Sequence, residues 1–171
     1  MANGGYFHLL HPHHSDPFDV EVIAHALSIV NRFGGHTRQP YSVAQHSVLV
    51  SNHVPAQYAL QGLLHDAAEA FLGDIPSPLK QLLPDFREIE RRVEITVRRR
   101  LALPDNQHPS VKEADLRALA TEKRDLMPAV DEWTSLAGIE PFPEKIVPHL
   151  TTEAAKRAFL ERYEQIKKEQ T

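Results

Sequence analysis

The spacing of apolar and polar positions along this 171-residue chain predicts a protein built almost entirely of helices. Asp19 is a candidate N-cap for a first segment over about Val20 to Asn31, in which apolar residues recur at helical spacing. These residues are Val22, Ile23, Ala26, Leu27 and Val30. A longer segment opens at Pro84 and carries a second such stripe. Its members are Phe86, Ile89, Val93, Val97 and Leu101.

Caps and helix breakers mark the remaining predicted helices. Ser42 and Gln45 form a capping-box pattern that begins a helix, and Pro55 separates that helix from the next segment. Thr151 and Thr152 resemble N-caps of a final helix. The other predicted helices cover about 56–71, 79–83, 111–127 and 151–168, while residues 130–150 are assigned no element.

Charged and metal-binding side chains are concentrated in one apolar segment. Residues 64–74 read Leu-His-Asp-Ala-Ala-Glu-Ala-Phe-Leu-Gly-Asp and include His65, Asp66, Glu69 and Asp74. Burying a histidine and carboxylates among such neighbours is costly unless their charge is compensated, which a divalent cation would do. On a helix, Glu69 would lie four residues after His65 and three after Asp66, so these side chains are expected to face one patch of space.

A metal site needs ligands from more than one segment, because one helix cannot surround an ion. His46 is expected in the second turn of the helix that begins at Ser42, and Asp115 lies beside the apolar stripe of a later helix. Imidazole and carboxylate ligands suit one divalent transition metal among Co, Mn, Zn, Fe and Ni. Taken alone, the His65-Asp66 pair is equally typical of a solvated ion pair or a hydrogen-bonded core histidine.

His46, His65-Asp66 and Asp115 stand in the order of the H…HD…D signature of the HD-domain superfamily of metal-dependent phosphohydrolases, which residues 20–127 resemble. Four residues in this order on three segments are far more specific than the dipeptide alone. The chain is most similar to the small branch that includes 5'-deoxynucleotidases and phage-type deoxynucleotide hydrolases. The resemblance implies an all-α, single-domain HD-domain helical bundle in which His46, His65, Asp66 and Asp115 bind the metal.

The resemblance also implies roles for residues outside the ligand set. Glu69 would orient or deprotonate the attacking water, and Asp74 would assist proton transfer around the phosphate. The branch carries an arginine-aromatic pair slightly more than a dozen residues before its first histidine, and Arg32-Phe33 takes that place. The usual aromatic is tryptophan, so Phe33 leaves base and sugar preference open. A helix C-terminal arginine and a core phenylalanine are the alternatives for the pair, and Lys112 is a phosphate contact or an ordinary exposed lysine.

Composition narrows the class of protein further. Hydrophobic residues make up 42% of the chain, enough for one substantial core, so residues 1–171 are expected to form one domain. The absence of cysteine excludes disulfides and thiolate ligands and fits a cytoplasmic protein. No run approaches the ~20 apolar residues that span a bilayer, and the net charge of -4 argues against binding polymeric nucleic acid. The expected partners are a small-molecule nucleotide and further copies of the chain in a homo-oligomer.

Three functions are compatible with the sequence. The first is a metal-dependent 5'-nucleotidase that releases phosphate from nucleoside 5'-monophosphates, above all deoxynucleotides. The second is hydrolysis of deoxynucleoside triphosphates to nucleoside and triphosphate. The third is a catalytically silent nucleotide-binding or structural helical protein, against which Glu69 and Asp74 count because a binder needs no general base.

Overall fold

The computed structural model describes residues 1–13, 15–128 and 132–170, and regular structure in those residues is helical. The α-helices are α1 (Val20–Ile29), α2 (Val43–Asn52), α3 (Ala59–Leu63), α4 (Glu69–Leu72), α5 (Ser77–Lys80), α6 (Pro84–Arg100), α7 (Pro109–Leu126) and α8 (Thr152–Glu169). Short 3-10 helices cover Arg32–Gly35, Ala56–Tyr58 and Thr134–Leu136. Among the described residues, β pairing is limited to one bridge between Asn31 and Ser42. The predicted all-α fold class is confirmed.

Three predicted N-caps are confirmed. The side chains of Asp19, Ser42 and Thr151 each accept a hydrogen bond from the backbone N–H three residues ahead, at 3.0, 3.4 and 3.1 Å. Each bond satisfies one of the N–H groups that have no partner within the helix. Pro84 and Pro109 begin α6 and α7, where the missing N–H of proline costs nothing.

The centre of the bundle is α2, which packs against α1, α3, α7 and α8. Apolar side chains of these helices form the core around it, and those with no exposed area include Ile23, Leu27, Val43, Leu63 and Phe159. Burial of each large apolar side chain contributes about 1.5–3 kcal/mol. Because α2 lies at the centre, His46 in its second turn is carried into the interior and has no exposed area.

The predicted continuous helix over 56–71 is wrong. The structure divides this segment into the 3-10 helix Ala56–Tyr58, then α3, then α4, and residues 64–68 form turns between α3 and α4. His65 and Asp66 therefore lie in a tight connection rather than on the face of a helix.

A side chain explains why the helix stops. The imidazole Nδ1 of His65 donates to the carbonyl oxygen of Gly62 at 2.8 Å, and so occupies the acceptor that would continue the helix. Backbone bonds then close over three residues, from Ala67 N–H to the carbonyl oxygen of Leu64 at 3.2 Å. Gly62 also lets α3 approach α2 closely, since a Cβ there would lie 3.1 Å from Ser51 Cα. The turn therefore brings the ring of His65 against α2.

Smaller differences affect the ends of predicted helices. The first helix ends at Ile29 rather than near Asn31, and the short helix predicted over 79–83 is α5, which begins at Ser77. In the stretch 130–150, residues 130 and 131 lie outside the described residues, and the rest contains one 3-10 helix.

No helix of the described chain is long and apolar enough to cross a membrane. The boundaries of a single domain over 1–171 remain a prediction.

The N-terminal segment lies along α4 and α6. The ring of Phe7 stacks on Phe71 of α4, with centroids 4.0 Å apart and planes 15° apart. Arg92 and Thr96 of α6 donate to backbone carbonyl oxygens of the segment at 3.2 and 3.4 Å. This cover fixes the short α4, which carries Glu69.

Candidate metal and phosphate site

The four side chains predicted to bind a metal lie together in the structure. His46 comes from α2, His65 and Asp66 from the turn before α4, and Asp115 from α7. The Nε2 atoms of His46 and His65 are 3.2 Å apart, and Asp66 Oδ2 lies 3.6 and 3.0 Å from them. Asp115 Oδ1 lies 3.3 Å from His46 Nε2 and 4.0 Å from His65 Nε2. We call these four residues the ligand cluster.

The hydrogen bonds of the two imidazoles fit a cation. His46 Nδ1 lies 2.6 Å from the carboxylate of Glu122, and His65 Nδ1 donates to Gly62. With the Nδ1 protons used in this way, the neutral rings direct their Nε2 lone pairs toward each other and toward carboxylate oxygens. A set of converging lone pairs is stabilised by positive charge between them, and carboxylate-histidine pairs of this kind orient metal ligands. The donor set therefore fits a divalent metal.

Electrostatics of the ligand cluster favour positive charge in the same way. Burial lowers the pKa of His46, but hydrogen bonds and charges from Glu122 and Asp115 outweigh it and raise that pKa to about 10. Burial raises the pKa of Asp66, yet hydrogen bonding to His65 and the charges of His65, His46 and Arg32 hold it well below its usual range. The pKa of Asp115 is lowered for the same reason, chiefly by His46. The carboxylates thus stay ionised while the His46 imidazole attracts a proton or a metal.

A buried ion pair joins the ligand cluster to Arg32. Glu122 of α7 has no exposed area, and its Oε2 accepts a hydrogen bond from Arg32 Nη2 at 2.9 Å while its Oε1 faces His46. The other end of the guanidinium, Nη1, lies 4.0 Å from Asp66 Oδ2 and 3.9 Å from Asp74 Oδ2. Burial lowers the pKa of Arg32, but these carboxylates raise it far more, so the guanidinium stays charged.

The sequence analysis missed Glu122. Its spacing was a usable signal, since seven residues are two turns of a helix and place Glu122 on the same face of α7 as Asp115. From that position the Glu122 carboxylate can accept a hydrogen bond from Nδ1 of His46, while Nε2 of the same ring faces Asp115.

Removing the Glu122 carboxylate is expected to destabilise the fold. In Glu122→Ala, the guanidinium of Arg32 stays buried without its partner, and breaking such a pair costs about 3–5 kcal/mol. Chemical denaturation should show this loss in the free energy of unfolding. Glu113→Ala, on the exposed face of α7, is the matched control and should change stability by no more than about 0.5 kcal/mol. Equal stabilities of the two variants would contradict the interpretation.

Glu69 is buried close to charged groups of the site, among them Asp66 of the ligand cluster. It is 8% exposed, and its Oε2 is buried with no hydrogen-bond partner among the described residues. Burial, followed by repulsion from Asp66 and Asp74, raises the pKa of Glu69 to about 9. Buried polar atoms normally have a partner, so an unpaired carboxylate oxygen marks a place for a ligand or water.

Lys80 is a second residue that the sequence analysis missed. Its Nζ lies 3.7 Å from Glu69 Oε1 and 2.5 Å from Glu90 Oε1. The pKa of Asp74 is raised by burial, which outweighs the nearby Arg32. Lys80 reaches Glu69 from the end of α5, and only the turn at Gly73 and Pro76, whose geometry the sequence does not specify, brings it there.

The remaining predicted substrate contacts border the site. The ring centroid of Phe33 lies 5.3 Å from Arg32 Cζ. Lys112 Nζ donates to Asp115 Oδ2 at 2.8 Å, and its side chain is 67% exposed. Both residues are thus close to the charged centre, and their contact with substrate remains a prediction.

An all-α bundle that brings the H, HD and D residues to one point defines an HD-domain protein. Residues 12–137 match the family described as 5'-deoxynucleotidase YfbR-like. The chain belongs to this family, which confirms the resemblance found in the sequence.

Individual relatives span different shares of the chain. It is 42% identical over 151 residues to the uncharacterized protein YfdR of Escherichia coli K12, covering 86% of this chain and 84% of YfdR. It is 35% identical over 126 residues to the uncharacterized protein RCAP_rcc00048 of Rhodobacter capsulatus, covering 67% and 63%. Over 84 residues it is 29% identical to 5'-deoxynucleotidases of Photobacterium profundum and Vibrio cholerae. That match covers 48% of this chain and 35% of each enzyme.

Proposed function

We propose that this protein is a divalent-metal-dependent phosphohydrolase that releases phosphate from nucleoside 5'-monophosphates, above all deoxynucleotides. The observation that carries the proposal is the placement of the Arg32 guanidinium within 4.0 Å of both Asp66 and Asp74. A charged guanidinium, whose paired N–H groups suit phosphate oxygens, thus lies directly beside the ligand cluster. The 5'-deoxynucleotidases among the relatives support the choice of substrate.

The ligand cluster is the proposed metal site. His46, His65, Asp66 and Asp115 would hold one divalent transition metal of the Co, Mn, Zn, Fe and Ni group. Such a metal lowers the pKa of water and polarises a phosphoryl oxygen. The protein's own part is to hold the imidazoles in one tautomer through Glu122 and Gly62.

Arg32 binds the phosphate in this proposal. Its guanidinium is anchored by Glu122 through Nη2, which leaves Nη1 facing Asp66 and Asp74. Its Nε is buried with no hydrogen-bond partner among the described residues. The fixed guanidinium offsets negative charge on the phosphoryl oxygens as the phosphorus is attacked, and it loses little conformational freedom on binding.

Glu69 and Asp74 move the protons. The water oxygen bonds to phosphorus as one water proton passes to Glu69, whose pKa falls when positive charge neutralises Asp66. As the bond between phosphorus and O5' breaks, O5' would take a proton from Asp74, which would regain one from Glu69, so both carboxyl groups return to their starting states. The products are a nucleoside and orthophosphate. Lys80, whose Nζ lies 3.7 Å from Glu69 Oε1, holds that carboxylate in place.

A panel of nucleotides tested with several metals decides the function. Purified protein is stripped of metal, reloaded with Mn, Co or Zn, and incubated with deoxy- and ribonucleoside mono- and triphosphates. We expect orthophosphate and nucleoside from the monophosphates, with none when metal is left out. Tripolyphosphate from deoxynucleoside triphosphates would replace this proposal by the second hypothesis. Nucleotide retention without turnover in every metal would replace it by a binding protein.

A further inference from the structure

The backbone of Phe33 adopts a conformation that few residues other than glycine adopt. Its φ is 54° and its ψ 31°, in the left-handed region, and Gly34 and Gly35 follow with φ of 59° and 82°. A phenylalanine in this region is uncommon. A nearby segment of the same chain fixes this turn, because the Arg32 N–H donates to the carbonyl oxygen of Tyr41 at 2.9 Å. Strain maintained by surrounding structure is typical of functional sites.

The strained turn places the ring of Phe33 close to both a cation and a second aromatic ring. Arg32 Cζ lies 5.3 Å from its centroid. The ring of Trp133, from the segment after α7, lies 6.0 Å away at an angle of 49°. Lys123 Nζ lies 5.5 Å from the Trp133 centroid. Two aromatic rings thus continue outward from the phosphate-binding residue of the proposed site.

Exposure separates these rings from the packing of the core. The large aromatic side chains of the core, such as Phe18, Phe142 and Phe159, are at most 2% exposed. Phe33 and Trp133 are only partly buried. Phe33 contacts the Arg32 guanidinium and Trp133 contacts Phe33, so the two rings lie next to the proposed phosphate-binding residue, where a bound mononucleotide would extend its sugar and base.

We propose that Trp133 extends the aromatic surface that begins at Phe33, and that it binds the nucleoside part of a 5'-mononucleotide as a specificity-determining residue. The inference rests on the proposed function and names a substrate subsite for it. Aromatic faces bind nucleobases by stacking and deoxyribose by apolar contact. The phosphate is bound at Arg32, so phosphate and nucleoside are recognised by separate groups.

Two product fragments test this separation in the metal-loaded protein. Inorganic phosphate and 2'-deoxyadenosine are measured as competitive inhibitors of hydrolysis of 2'-deoxyadenosine 5'-monophosphate. In Trp133→Ala we expect deoxyadenosine to bind about tenfold more weakly, as for loss of one stacked base, while the affinity for phosphate is unchanged. Trp133→Phe should recover part of the loss. Tyr6→Ala, at an aromatic residue that is 82% exposed in the N-terminal segment, is the control and should alter neither.

Trp133 also provides a direct signal, because it is the only tryptophan in the chain. Its fluorescence should change when deoxyadenosine is added and stay constant when inorganic phosphate is added. Unchanged emission at deoxyadenosine concentrations that equilibrium dialysis shows to be saturating would overturn the inference, as would equal weakening of both fragments in Trp133→Ala. If monophosphates are hydrolysed but these results fail, only the subsite is wrong. If no nucleotide is hydrolysed in any metal, the proposed function fails on its own measurement.

Discussion

Replacing Asp66 by alanine is expected to abolish metal binding and phosphate release together. Its Oδ2 lies within 3.6 Å of both Nε2 atoms of the ligand cluster, so its loss removes one ligand and the negative charge that balances a cation. Calorimetric titration with Mn or Co measures binding, and phosphate release from 2'-deoxyadenosine 5'-monophosphate measures turnover.

Asp105→Ala is the control for this variant. Asp105 belongs to the connection between α6 and α7, its side chain is 78% exposed, and it forms an ion pair with the exposed Arg99. It should keep the metal affinity and the activity of the parent protein. Turnover by the Asp66→Ala protein after exhaustive removal of metal would refute the assignment of the ligand cluster.

Replacing Glu69 by glutamine is expected to lower kcat by about 10²–10⁴ while metal binding is kept. Glutamine fills the same space in the apolar environment but cannot accept the proton of the attacking water. Because Glu69 is not among the ligands, the metal affinity measured by titration should match that of the parent protein. The KM for the nucleotide should change little, since Arg32 is untouched.

Glu90→Gln is the matched comparison for Glu69→Gln. It removes a carboxylate from the other side of Lys80 while leaving Glu69 itself in place. We expect a much smaller loss of kcat in this variant. If both glutamine variants had parental kcat, proton transfer would not depend on Glu69, and the proposed mechanism would be wrong.

Much of the fold was predictable because its signals are local. The caps at Asp19, Ser42 and Thr151 depend on a side chain and an N–H three residues away, and all three were identified from sequence. The apolar stripe that begins after Pro84 also predicted α6 almost to its last residue. The break between α3 and α4 was missed because it depends on the ring of His65 bonding to a carbonyl, which becomes favourable only when α2 packs against that turn.

The candidate site shows the same division between local and distant signals. The order of His46, His65-Asp66 and Asp115 is a motif, and the structure brings these residues together as the sequence predicted. Glu122 and Lys80 carry no motif on their own. Glu122 matters because it lies between Arg32 and His46, and that relation exists only after the 3-10 helix Arg32–Gly35, α2 and α7 have packed. Partners of known site residues are therefore the part that sequence reasoning found hardest.

The residues of the site differ in how deeply they are buried, and this difference indicates which of them can be substituted without disrupting the others. His46, Glu122 and Arg32 form one continuous interior unit, so an isolated change in any of them leaves the others uncompensated. Phe33 and Trp133 lie at the rim and are only partly buried. Under the proposed function, rim residues can therefore be exchanged one at a time and alter which nucleotides are accepted, while the interior residues that carry the chemistry stay unchanged.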